Sequence, residues 1–260
     1  MELLDKKLLQ SYRHEKDSDV SKKLYESTLF QKANQYMIDY HLEDIYNYIH
    51  KSSLIKISKD MSKEIHSLLE SACQLFEVEE IPELYLTRDY YSDIELFGFE
   101  HPYIVISSDY LNRLDKKMLF GVLASQVAGI KANHHKTLFL IWVIEFVSRF
   151  IPGMGLVANV MTNQWKRYRF FTYDRAFLLA TGNYECTLKY LIIGELSNDT
   201  LSTIDLPTLE RMLSHQLKEF NNENKAVKSY HTLFKEQEWL PERYDEIKQF
   251  HQLTTIIGHK

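Results

Sequence analysis

A chain of 260 residues, 45% of them apolar, is long enough to bury a sizeable core. Its net charge of −5 excludes a global attraction to nucleic acid or to anionic lipid. Two cysteines, Cys73 and Cys186, lie too far apart in sequence for a Cys-x-x-Cys metal or redox motif, and read as two reduced, buried thiols.

The start, MELLDKKLLQSYRHEKD, lacks the apolar core of a signal peptide, so the expectation is a cytoplasmic protein beginning at or near Met1. Residues 20–50 carry Leu24, Phe30, Ala33, Tyr36, Met37, Tyr40, Ile45 and Tyr48 at helical spacing behind a Ser18 or Asp19 cap. That pattern predicts one long or two consecutive helices, forming with the start of the chain a helical extension over 1–51. From Ser52 the texture changes: SLIKIS alternates as a short strand, and KDMSKEIHSLLESACQLFEV reads as an amphipathic helix with His66 on its solvated side. IPELYLTRD and YIVISS have strand composition, with a further short strand expected in YYSDIELFGFEHP.

Leu114 to His135, LDKKMLFGVLASQVAGIKANHH, has the build of a single buried helix, with Asp115 near its start and Lys131 near its end. The run that follows is the most apolar in the chain, but Glu145 and Arg149 interrupt it and Pro152-Gly153 splits it into pieces shorter than the roughly 20 residues that span a bilayer. It reads as a buried or groove-lining helical hairpin with a Glu145–Arg149 pair. Peripheral membrane contact through residues 137–161 is the second reading. The cations of WKRYR, 165–169, read as a solvated helix face, and no nucleic-acid partner is expected. A helix starts near Leu206-Pro207, another segment follows in WLPERYDEIKQF, and 253–260 reads as a frayed tail.

Two of these segments carry a resemblance. The frame of 114–135 resembles the L-x-x-V-L-A-H-E-L-G-H-I-K-x-x-H helix of the HtpX-like and CAAX-prenyl-endopeptidase family of zinc gluzincins, with Leu119, Val122, Leu123, Ala124, Ile130, Lys131 and His134 matching. The family's first His falls on Ser125, its Glu on Gln126 and its second His on Gly129. NQWKRYRFFTYDRAFLLATG is similar to W-x-R-x-x-E-x-x-A-D-R-A-G-L-L, with Trp165, Arg167, Asp174, Arg175, Ala176, Leu178 and Leu179 kept, but Phe170 stands where the third zinc ligand belongs. Ser92 to Gly98, SDIELFG, occupies the place of N-A-F-x-x-G and keeps only the glycine, while Pro241, Arg243 and Ile247 echo a C-terminal T-H-P-x-x-x-x-R-I segment.

The resemblance implies an α+β, mainly α-helical fold over a peptidase-like core, 52–252, in which a small β-sheet packs on the former active-site helix and offers an edge strand to extended substrate. It also locates what is lost. Zinc needs ionisable or imidazole donors and its water needs a base, whereas Ser125 offers a neutral hydroxyl, Gln126 cannot take a proton, Gly129 has no side chain and Phe170 has no donor. No catalytic residues, metal or cofactor are therefore expected. Asp174, which in the family orients a ligand His, is expected instead to pair with a helix-borne Arg. The expected work is that of a pseudopeptidase that binds a peptide or protein partner as a regulatory or scaffolding subunit, an active homologous peptidase being one candidate. The alternatives are an active zinc peptidase with ligands relocated to His134, His135 or Glu145, and a membrane-peripheral interaction protein. Ser125 reads as a packing residue, because nothing near it in sequence would activate it as a nucleophile.

Overall fold

The N-terminal helices begin and end where side chains can cap them. In the computed structural model, which describes residues 9–88, 93–151, 154–194, 196, 198–224 and 239–258, α1 (Glu15–Glu26) starts on the ring of His14, which accepts the Lys16 amide. The helix therefore starts before Ser18 and Asp19, which lie within it and are not its cap. Ser27 accepts the Phe30 amide to open α2 (Thr28–Asp39), and His41, at φ 50°, turns the chain into α3 (Leu42–Lys51). Three short helices thus replace the one or two expected. The expected start at Met1, the Ser92 end of the SDIELFG stretch, Pro152-Gly153 and the last two residues of the tail lie outside the described residues.

A four-stranded sheet follows, with α4 (Lys63–Phe76) after its first strand: β1 (Ile55–Lys56), β2 (Glu83–Thr87), β3 (Ile94–Phe97) and β4 (Tyr103–Ser107), in the order β1-β2-β4-β3. β2 and β4 run parallel; the two outer pairings are antiparallel. β4 is buried throughout, and its residues alternate between two apolar layers. Ile104 and Ile106 join the main core with α4, whereas Tyr103 and Val105 pack with Tyr85 on the other face. His66 is not simply solvated: its Nε2 lies 2.8 Å from the Ile57 carbonyl and ties α4 to the end of β1.

After α5 (Ser108–Arg113), Asp115 caps α6 (Lys116–Lys131) by accepting the Met118 amide at 2.8 Å. Every residue from Gly121 to Ile130 is buried, the signature of a helix enclosed on all sides. The helix does not run on to His135. Asn133, at φ 63°, breaks the chain, and α7 (His134–Ser148) starts on a new axis. α8 (Met154–Thr181), about 42 Å long at 1.5 Å per residue, lies against α6. Two glycines allow that approach. A Cβ on Gly121 would stand 2.5 Å from the Phe177 ring, and one on Gly129 would stand 2.7 Å from the Tyr173 ring and 2.9 Å from Leu96. Gly129→Ala is accordingly expected to lower unfolding stability by about 1–3 kcal/mol through overpacking, read from the midpoint of urea denaturation.

The chain closes with α9 (Tyr184–Ile192), α10 (Asn198–Thr203), α11 (Leu206–Asn222), capped by Asp205 with Pro207 in its first turn, and α12 (Leu240–Gly258). α12 continues through the segment expected to fray after 252. The main core joins the sheet to α4, α6, α8, α9, α11 and α12. A second apolar cluster packs α1 and α2 against α7 and the Trp165 turn of α8. The architecture is the α+β, mainly helical one expected, with the small sheet on the buried central helix.

Candidate functional site

The close approach of α6 and α8 decides what the four substituted positions can do. The Ser125 hydroxyl, fully buried, lies between two carbonyls, Gly121 O at 2.9 Å and Tyr173 O at 3.0 Å, so its single proton stitches the two helices together. Gln126 is 2% exposed, and its Oε1 has no hydrogen-bond partner among the described residues. Gly129 faces the Tyr173 ring. Phe170, one turn earlier on α8, meets the same ring edge-on at 5.8 Å between centroids. Ser125, Gly129 and Phe170 thus converge on Tyr173, a residue the sequence reading did not single out. The one available signal was the glycine itself, since a side chain removed from a buried helix face has to be replaced by volume from elsewhere.

Asp174 does pair with an arginine. Arg243 of α12 donates from Nε to Oδ2 at 2.9 Å and from Nη2 to Oδ1 at 2.6 Å, a two-pronged contact with both groups almost inaccessible. Burial opposes the guanidinium charge, but the Asp174 carboxylate outweighs it and drives the Arg243 pKa further up. Burial also lifts the Asp174 carboxyl while Arg243 pulls it back; the fork geometry fits the ionised pair. The guanidinium lies 5.2 Å from the Phe170 ring centroid.

The cations of WKRYR are not a solvated face. Trp165 is fully buried and Arg167 is nearly so. Lys166 reaches Glu145 at 2.7 Å, which replaces the expected Glu145–Arg149 pair, and Arg169 reaches Glu95 of β3 at 2.9 Å. Helical spacing alone could not reveal this, because the acidic partners come from a neighbouring helix and a strand.

A zinc ion of the kind the family resemblance carries does not fit these residues. The hydroxyl is engaged, the amide is neutral, and the glycine and phenylalanine offer no donor. Among the described residues no group of three His, Cys, Asp or Glu side chains is placed to hold a metal. The relocated set does not assemble either: His134 is bound to Asp17, Glu145 to Lys166, and His135 is buried with its pKa pushed down to about 3 by desolvation. Both thiols are buried and free, with burial raising each to about 11, which makes them poor nucleophiles and poor ligands near neutral pH.

A buried network around Asp17 also escaped the sequence reading. Its carboxylate, wholly enclosed, accepts from Trp165 Nε1 at 2.9 Å, Thr172 Oγ1 at 2.8 Å and His134 Nε2 at 2.9 Å. Burial raises its pKa, but the His134 charge and the bonds from His134 and Thr172 outweigh that and hold it below the usual carboxylate range. Beside it His14 Nε2 and Lys16 Nζ bind Glu246 of α12 at 2.8 and 2.6 Å. There too burial raises the pKa, and the two partners bring the net value down from 4.5 to about 2. A carboxyl depressed on folding stabilises the fold above its unfolded value and loses that contribution as pH falls through the folded one. Stability is therefore expected to decline from about pH 4.5 towards about pH 2, and Glu246→Gln to flatten that decline, as followed by tryptophan fluorescence during urea unfolding at a series of pH values.

Next to the filled centre is a cleft with a volume of about 1370 Å³. Every residue from Asp93 to Gly98 lines it, which is how a strand presents its edge, since a face would present alternate residues. β3 is indeed an outer strand of the sheet. Trp142, Phe170, Met212 and Leu240 add apolar wall, while the Glu95–Arg169 and Glu145–Lys166 pairs and Arg243, which is held by Asp174, supply polar groups that already have charged partners.

Comparison with known proteins points to a metallopeptidase-like relationship and no further. The chain is 24% identical over 144 residues to the plastoglobule-localized metallopeptidase 48, chloroplastic, of Arabidopsis thaliana. That alignment takes in 53% of this chain and 42% of the relative's length. No protein-family profile matches the chain. No solved structure matches it.

Proposed function

We propose that the chain is a non-catalytic relative of the zinc metallopeptidases that holds an extended peptide or protein segment against β3. Its frame resembles that of the HtpX-like and CAAX-prenyl-endopeptidase family, and an active homologous peptidase is a partner it could regulate. The observation that carries the reading is the Gly129–Tyr173 contact. A peptidase needs an imidazole at that place, and the ring of Tyr173 occupies the space the imidazole would enter. What survives is the part of a peptidase cleft that needs no catalytic side chain, because strand addition uses main-chain groups and pockets for alternate side chains.

The test has two arms. Protein purified without chelators is expected to carry far less than one zinc per chain and to leave a quenched-fluorescent peptide library uncut. The same library, labelled but unquenched, is expected to bind with an anisotropy change, and Met212→Glu, in the cleft wall and 44% exposed, is expected to weaken binding by about tenfold. Stoichiometric zinc with cleavage would replace this reading by that of a working enzyme. Absence of any peptide binding would remove the cleft from the account.

A further inference from the structure

The hairpin of α7 and α8 ends in an apolar tip that the rest of the described chain leaves uncovered. Burial stops at Ile144 on α7 and at Ala158 on α8, while around and beyond them Phe146, Phe150, Ile151, Leu156, Val157 and Val160 are 38–73% exposed. Between Phe146 and Met161 the sequence holds a single charged residue, Arg149. At ~150–200 Å² per large side chain, the six present on the order of 500 Å², at the upper end of what monomers leave open. A stable pairing of two copies needs roughly 800 Å² from each, so this surface is too small to hold a dimer by itself.

The order of groups along the hairpin names a different occupant. Phe150, Phe146 and Trp142 form a ladder of ring contacts, each with centroids 5.7 Å apart, that leads inward from the tip. At its foot Tyr46 lies 4.4 Å from Trp142, and Glu145, between Trp142 and Phe146, is paired with Lys166. Phenyl and aliphatic groups outermost, then an ion pair at the level of the indole and phenol, follow the polarity gradient from acyl chains to the headgroup layer. The rise fits as well. From the ion-paired Glu145 to the helical cap Arg149 α7 climbs about 6 Å, within the roughly 5–10 Å to which interfacial apolar faces enter a membrane. No described helix is long and apolar enough to cross one.

We infer that the α7–α8 tip inserts shallowly into a lipid surface and anchors the protein there, with Trp142 at the depth of the headgroups. One cation at the tip gives little electrostatic attraction, so apolar burial dominates and binding is nearly independent of anionic lipid and of salt. The hairpin shares Trp142 with the cleft wall, but Phe150 and Leu156 do not line the cleft, so variants there test the inference separately from peptide binding.

Flotation of the full chain with phosphatidylcholine vesicles, with and without phosphatidylserine, tests it. Wild type is expected to float with both, and Phe150→Asp combined with Leu156→Asp to lose at least tenfold of the bound fraction. Leu253→Asp on α12, equally exposed at 56%, is expected to keep it. Brominated lipid is expected to quench tryptophan emission in wild type and not in the double variant, whose circular dichroism remains that of the wild type. Wild type that stays with neither vesicle overturns the inference, as does a double variant that floats like wild type. A lipid-free dimer that the double variant abolishes would also overturn it, by making the tip an interface between copies of the chain.

Discussion

Replacing Arg243 with alanine is expected to cost about 3–5 kcal/mol of unfolding stability, because Asp174 would remain as a buried carboxylate with its fork partner gone. Asp174 is 1% exposed, so water cannot substitute. The loss includes packing as well as charge, since the guanidinium also lies 5.2 Å from the Phe170 ring centroid and 5.7 Å from that of Tyr190. Removing both charges together, Asp174→Leu with Arg243→Met, is expected to recover much of the cost, because a matched apolar replacement avoids an orphaned ion. Urea denaturation with a shared m value measures both. A single variant within about 1 kcal/mol of wild type would mean that the pair contributes little.

Asp17→Ala is the second large effect, also about 3–5 kcal/mol. The substitution strands three buried donors at once, the Trp165 indole, the His134 ring and the Thr172 hydroxyl. Because Asp17 belongs to α1 and its partners to α7 and α8, the loss is directional. Hydrogen exchange is expected to show α1 amides losing protection before those of α6, which lies in the other apolar cluster. Uniform loss of protection across both helices would show that α1 does not open separately from the main core.

Much of the frame was legible because apolar spacing records burial directly. The enclosed helix after Asp115, the strands before it and the helix beginning at Leu206-Pro207 follow from pattern and cap chemistry, whereas the sheet they form and an arginine partner for Asp174 follow from the resemblance. The failures share a cause. Asn133 ends α6 by adopting a left-handed conformation, which a continuous helical pattern does not announce, and the placement of His134 and His135 depended on that break. WKRYR looked solvated because its partners, Glu95 and Glu145, are 74 and 21 residues away from Arg169 and Lys166. Asp17 looked like one more charge in a polar segment, since only the fold shows that three donors meet there. Tyr173 was hidden by the family frame itself, which directs attention to the positions that changed and away from the neighbour that filled the space.

That filled space is what the account depends on, and zinc bound per chain in two engineered variants measures it. Ser125→His, Gln126→Glu, Gly129→His and Phe170→Glu together restore every missing donor and the base but still meet the Tyr173 ring, whereas adding Tyr173→Ala removes that ring and leaves the flexible end of Leu96, 2.9 Å from a Cβ at position 129, to give way. The expected result is about one zinc per chain only in the five-site variant, because three protein ligands are enough to hold the ion. One zinc in the four-site variant, with Tyr173 intact and the protein folded, would contradict the claim that this ring closes the centre.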